Sequence, residues 1–424
     1  MNYEDGISYS EAIGILSKDS FFRDRVSSPT NVFDCQFQYN KFDALWNEKV
    51  DVGGNVVHLP NESALLYEVT NAQGSTAIRQ SKEFLRYQPG KSQLILMTGN
   101  FMGIEQGISK KLGYFCDSDG VYFEVNSDGI HVGLRSSVSG GVVDTLIHQS
   151  KWNVDTLEST SGNSDREGKG ISGWDIDLSK AQIFFFDLEW LGVGQVRFGI
   201  FRNGKPVLVH AWTNTNVNLS TYMKTANLPV RVELVNVDGN VDGGHLRQIC
   251  CSVISEGGQE DSKGCLRSMD NGTTPITLLD GVPTAVIAVR PKIAIDGVTN
   301  RSTLVPQDIE VMNLDGIIIH LEVFIVDYHE YDPGVTWDEV PDCTGEYTVD
   351  NVWTELSGVN KRRPYSAYIN SDRHSSSKSN YLNRSKRSLT VNMDGTLSET
   401  MVVVATAIGG NTECLASMVF LNLR

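Results

Sequence analysis

The sequence predicts an all-β chain: an antiparallel β-sandwich of the jelly-roll or lectin-like kind, followed by a second, smaller β domain. Three observations predict it. Short apolar runs bounded by turn residues recur along most of the chain. Within the runs, apolar and polar side chains alternate with the period of two that places successive residues on opposite faces of a sheet. Asn-Gly and Asp-Gly pairs fall between the runs, where tight hairpins need positive backbone angles. A short N-terminal helical arm is the one expected departure.

Residues 1–30 read as that arm. Ser8 and Glu11 have capping-box spacing, and Ala12, Ile13 and Leu16 follow on one side of a short helix. Phe21 and Phe22 sit among charges in FFRDR, as apolar anchors for a partner or an adjacent domain. VSSPTNVFD at 26–34 breaks into the first strands.

Residues 31–255 form the sandwich domain. LLYEV (65–69) and QLILMTGNF (93–101) are its first clear strands. YFCDSDGVYFEVNSDGIHVGLR at 114–135 resembles a calcium loop at Asp117 and Asp119, but Val121 and Phe123 occupy positions that need oxygen ligands, and Glu124 comes too early. Two Asp-Gly turns flanking VYFEV instead give strand, turn, strand, turn, strand. In IFFFDLEWL (183–191), Phe184, Phe186, Leu188 and Trp190 share one face, and Asp187 and Glu189 the other. VRFGIFRNGKPVLVHAW (196–212) carries Asn203-Gly204 between two apolar runs. LPVRVELVNV (228–237) sets Val230, Val232 and Leu234 against Arg231 and Glu233, and HLRQICCSVIS closes the domain.

The polar, glycine-rich segment 256–275 reads as a linker. The C-terminal β domain, 276–424, contains TAVIAVRP, DIEVMNL, GIIIHLEVFIV, TMVVVATAIGG and LASMVFLNL. A serine-rich basic stretch at 361–387 reads as an exposed loop within it. That stretch holds eight basic residues and one acidic, +7 against −16 for the whole chain and so −23 for the remainder. Its Lys361, Arg362, Arg363, Arg384, Lys386 and Arg387 are candidate assembly contacts to an acidic face of a neighbouring copy.

Composition narrows the function. The net charge of −16 argues against nucleic-acid binding, which needs clustered cations. No apolar run reaches the roughly 18 residues needed to span a bilayer, so membrane insertion is not expected. The acidic start MNYEDGISYSEA lacks a secretory signal, which points to synthesis in a cytoplasm. Seven cysteines are scattered without a C-x-x-C pair or a zinc-like histidine spacing, so free thiols and no metal are expected. No phosphate-binding loop, dinucleotide fingerprint or nucleophile elbow occurs, so no cofactor is expected.

Asp187 and Glu189 are the best candidate catalytic pair, since alternate residues on a strand project side by side about 6.5 Å apart at Cα. Retaining glycosidases hold two carboxyls at roughly 5–5.5 Å. The plainer reading is a solvent-facing acid pair that keeps the sandwich soluble. His210 and Trp212 share a strand and could line a sugar site, against a satisfied histidine on a half-buried face. The expectation from these residues is a chain without catalytic activity.

At RYQPGKSQLILMTGNF (86–101), GYFCDSDGVYFEV, RSSVSG (135–140), QSKWNVDTLE (149–158), DLSKAQIFFFDLEWLGVGQVRFGIF (177–201) and NLPVRVELVN (227–236), the chain resembles a family of virion structural proteins of tailed bacteriophages and other large DNA viruses. The likeness covers roughly residues 25–260. It implies a virion component made in the host cytoplasm, tail-associated or adhesive to the host, assembling with copies of itself as a trimer or ring and with other virion proteins. Capsid decoration and a neck or adaptor role are the alternatives, as is a virion-associated protein that binds or degrades polysaccharide, with host-surface glycans as partners. The resemblance supplies no catalytic residue.

Overall fold

In the computed structural model, residues 18–19, 23–26, 28–158, 170–239, 242–258, 264–369, 376–378 and 388–423 are described. They divide into one unit of residues 1–81 with 85–259, and a second of residues 82–84 with 260–424. No α-helix occurs among the described residues. The expected helix at 8–16, together with Phe21 and Phe22, lies outside them.

The strands of the first unit, in chain order, are β1 (Pro29–Gln36), β2 (Trp46–Asp51), β3 (Asn55–Leu59), β4 (Ala64–Val69), β5 (Thr76–Ser81), β6 (Gln93–Asn100), β7 (Ile108–Phe115), β8 (Gly120–Asn126), β9 (Gly129–Ser136), β10 (Val143–His148), β11 (Gln182–Leu188), β12 (Val196–Arg202), β13 (Lys205–Trp212), β14 (Val230–Asn236) and β15 (Gly244–Glu256). Two antiparallel sheets result. One runs β13-β12-β11-β6-β15-β4-β3, with β1 also on β15, and the other runs β10-β9-β8-β7-β14-β5-β2.

Local chemistry sets the hairpins. Asn203 and Gly204 both take positive φ, 50° and 75°, which matches the twist of β12 and β13 and turns one onto the other. The two Asp-Gly pairs are hairpin turns, as their spacing predicts. Gly120 and Gly129 open β8 and β9 with φ of 138° and 128°, and the Asn126 Oδ1 accepts the Asp128 N–H at 3.0 Å. Asp119 braces the first turn, its carboxylate accepting from Ser137 N–H and Oγ–H and from Lys224 N–H.

Aromatic rings join the two sheets. Phe123, on β8, packs against Phe184, Phe186 and Phe198 of the opposite sheet at centroid distances of 5.0, 5.4 and 5.7 Å. These are tilted and edge-on contacts of the kind aromatic quadrupoles favour. Phe186 lies opposite Phe198 in the β11–β12 ladder, so the cluster is continuous within its own sheet as well. Val230, Val232 and Leu234 of β14 are buried, as their alternation predicts.

The second unit is also β. Thr412–Leu423 carries one sheet, paired with Thr303–Asn313, Cys265–Asp270 and Ile276–Leu278. The other sheet orders Asp338–Glu339, Gly345–Thr348, Thr284–Pro291, Thr400–Ile408, Ile318–Val326 and Lys361–Ile369. Ile309, Val311 and Met418 from the first pack with Ile287, Val323 and Val403 from the second in one core. Two sequence expectations are corrected here. Cys265–Asp270, read as linker, is a strand that buries Met269 and zips onto the C-terminal strand. Lys361–Ile369, read as the start of an exposed loop, is a strand paired to Ile318–Val326.

Replacing Phe123 by alanine removes the ring at the centre of the aromatic cluster, an expected loss of about 3–5 kcal/mol in chemical denaturation. The exposed Leu146→Ala, as a control, should stay within about 0.5 kcal/mol of wild type.

Candidate functional site

Because Phe184, Phe186 and Leu188 point into the sandwich, Asp187 and Glu189 must project from the other side of their sheet. The sequence reading places them in solvent there; the structure corrects this, with the two acids 0% and 1% exposed. Residues 18–19 and 23–26 lie against that face, and Arg23 and Arg25 bring guanidinium groups onto it. Arg25 donates to Asp187 at 2.5 Å and to Glu256 at 2.9 Å. Arg197, opposite Asp187 on β12, pairs with the same carboxylate and donates to the Lys18 carbonyl at 2.7 Å. Arg23 donates to both oxygens of Glu189, at 3.0 and 3.1 Å, and to Asp19 at 2.5 Å.

Each buried acid is thus partnered, which burial of charge requires. The partnering is unequal. Asp187 meets two guanidinium groups. Burial pushes the Glu189 carboxyl up to about 7, with Arg23 opposing and Asp19 and Asp187 adding to the rise. A cavity of ≈ 200 Å³ opens beside the arm, lined by Asp19, Arg23, Arg25, Lys91 and Glu256 among others.

A second charged arrangement lies on the outer face of the other sheet. Glu233, Lys111, Glu124, His131 and His148 stand directly opposite one another on β14, β7, β8, β9 and β10. Lys111 reaches Glu233 at 3.3 Å, Ser109 donates to Glu124 at 2.9 Å, and the two imidazoles sit 5.1 Å apart. Arg231 adds to Glu233 at 2.8 Å and to Asp117 at 2.7 Å. Burial opposes ionisation of Glu233, but Arg231, Lys111 and Arg135 together hold its carboxyl at about 2. Burial lowers His131, and the neighbouring His148 lowers it further.

Beside this row Tyr122 pairs with Gly113 on β7 and Gly133 on β9, and its ring lies over Gly133. A Cβ at Gly133 would fall 2.3 Å from the ring, so glycine is required there. Lys111 and Arg135 hold cations 5.6 and 5.7 Å from the ring centroid. Tyr122, Glu124 and Arg231 are buried, so this layer braces the sheet rather than presenting an open surface. Sequence reasoning missed the row, since its residues come from five strands and only the register aligns them.

The remaining sequence candidates separate. His210 is buried, and burial pushes it down to about 4. It accepts the Asn153 N–H at 3.3 Å and packs edge-on to Trp212, as a satisfied core histidine. Lys361 donates to the Leu356 carbonyl at 2.7 Å and lies over Trp353. Arg362 pairs with Asp327 and Glu399, and Arg363 with Glu322 at 2.5 Å. These three cations bind carboxylates and carbonyls of their own unit. Arg384, Lys386 and Arg387 lie outside the described residues.

No family model matches the chain, and no curated protein matches it. Among solved structures it is similar to a glycosyl hydrolase family protein of Mycobacterium fortuitum, at 13% identity over 53% of this chain and 99% of that one, with a TM-score of 0.35. A family 16 glycosyl hydrolase of Mycobacterium smegmatis matches at 12% identity over 53% and 100%, with a TM-score of 0.34. A protein of unknown function from Shewanella oneidensis matches at 8% identity over 61% and 99%, with a TM-score of 0.35. The expectation of a chain without catalytic activity is corrected on this finding and is dropped, since glycosyl hydrolases stand among the structures it is similar to. Likenesses this distant transfer no residue role and no substrate.

The Glu189 shift makes a pH prediction. With its carboxyl raised from 4.5 to about 7 in the folded chain, the folded state keeps a proton that the unfolded state releases. Stability from this group is therefore complete below about 4.5 and falls as pH rises through 7. Glu189→Gln removes that slope, so the variant should gain on wild type between those pH values in parallel thermal melts. A pH-independent difference would show that Glu189 titrates normally.

Proposed function

We propose that the chain is a virion-associated, carbohydrate-directed β-sandwich protein whose chemical centre is the Asp187–Glu189 pair. The observation that carries this reading is the division within the pair. Burial raises the Glu189 carboxyl to about 7 against the opposing pull of Arg23 on both its oxygens, and Asp187 is clamped by Arg197 and Arg25. Two carboxyls with environments that differ in this way are the arrangement that assigns acid and nucleophile in glycoside hydrolysis.

In this reading Glu189 gives its proton to the glycosidic oxygen as the bond to the anomeric carbon breaks. Asp187 then attacks that carbon, or stabilises its positive charge, and Arg197 keeps the Asp187 carboxylate in place. Water, deprotonated by Glu189, releases the sugar and restores both groups. Arg23 and Arg25 cover the two carboxyls and must move aside for a chain of sugars to enter. The virion setting rests on the sequence motifs of residues 86–236, and repeated copies in a trimer or ring belong to the same proposal.

Release of reducing ends from bacterial surface polysaccharides tests it. The full chain carrying Arg23→Ala and Arg25→Ala should be more active than wild type, and adding Glu189→Gln should lower the rate by about 10²–10⁴-fold. An R23A/R25A chain that is folded yet releases no reducing ends from any polysaccharide offered would refute the catalytic reading.

A further inference from the structure

GIIIHLEVFIV interrupts an apolar run with His320 and Glu322, and the second unit gives those two residues a use. Ile318, His320 and Glu322 share the outward face of Ile318–Val326. Across the ladder, Tyr368 stands opposite His320 and Ser366 opposite Glu322 on the edge strand Lys361–Ile369. Tyr368 is 70% exposed, yet its ring is fixed: it stacks on the His320 imidazole at 4.7 Å with an interplanar angle of 20°. The imidazole is itself held by the Ser366 hydroxyl at 2.9 Å from Nε2. Arg363, half exposed, reaches Glu322 at 2.5 Å. Ile318 and Ile408, opposite each other in the adjoining ladder, are 41% and 44% exposed at the margin.

Single exposed aromatic residues are ordinary on protein surfaces. This one differs in being held flat by a second ring, with a hydroxyl, a carboxylate and a guanidinium following along the same two strands. A pyranose has the matching surface, with C–H groups on one face of the ring and hydroxyls around its edge. We propose that this face of the second unit is a pyranose-binding platform. The Tyr368 ring packs on the C–H face of one hexose, and Ser366, Glu322 and Arg363 bond its hydroxyls. Because the ring and its polar neighbours are already oriented, little freedom is lost on binding. A few polar groups around an apolar contact is also how small-molecule sites fix orientation. The platform uses no residue of the Asp187–Glu189 centre, so it stands or falls separately from hydrolysis.

Saturation-transfer NMR on the full-length protein, with methyl β-glucopyranoside, methyl β-galactopyranoside and cellotetraose as probes, tests it alongside an array of immobilised oligosaccharides. Transfer should reach the sugar C–H protons for at least one probe. Tyr368→Ala should weaken that interaction by about tenfold or more, whereas Tyr368→Trp retains it and Glu322→Gln weakens it. Leu146→Ala, an exposed position that belongs to neither site, should leave it unchanged. No transfer from any probe and no array signal with wild type would overturn the proposal. Binding that survives Tyr368→Ala, with the thermal midpoint unaltered, would overturn it equally.

Discussion

Interlocking of Phe123 with Phe184, Phe186 and Phe198 is the contact on which the first unit depends. A strand has only two faces, and a slip of one residue exchanges them. Once these rings meet between the sheets, Tyr122 and Glu124 are committed to the outside of one sheet, and Asp187 to the outside of the other. The chemistry of the unit is therefore a by-product of its packing. Aromatic burial decides where every charged side chain on β8 and β11 must go.

Committing acids to a covered face carries a demand of its own. Desolvation of a charge costs several kcal/mol unless partners replace the lost water. The chain meets this differently on its two sheets. On β7, β8 and β14 the cations come from the same sheet, with Lys111 and Arg231 beside Glu233. At Asp187 and Glu189 the sheet itself supplies Arg197, and Arg23 and Arg25 arrive from a segment more than 150 residues earlier. Partners on neighbouring strands are fixed by register.

Much of this was legible in the sequence where the signal is local. Asn203-Gly204 and the two Asp-Gly pairs gave their hairpins because turn geometry depends on a few adjacent residues. IFFFDLEWL gave the correct faces because pleat alternation is a property of one strand. Alternation could not show whether the outward face meets water, so the burial of Asp187 and Glu189 was out of reach. The row from Glu233 to His148 was hidden for a related reason: it exists only in the pairing of five strands. Lys361–Ile369 reads as a solvated stretch from its cations, yet Arg362 and Arg363 are neutralised by Asp327, Glu399 and Glu322, and Lys361 donates to the Leu356 carbonyl. Cys265–Asp270 is too short to display a period, and its strand character comes from the C-terminal segment beside it.

The fit of Tyr122 against Gly133 has an evolutionary corollary. The two positions share one volume, so neither can change freely while the other stays as it is. A lineage wanting a side chain at 133 has first to shrink residue 122, and in doing so uncovers the alkyl stems of Lys111 and Arg135. Substitution in this patch is therefore coupled: a side chain at 133 fits only beside a residue smaller than tyrosine at 122.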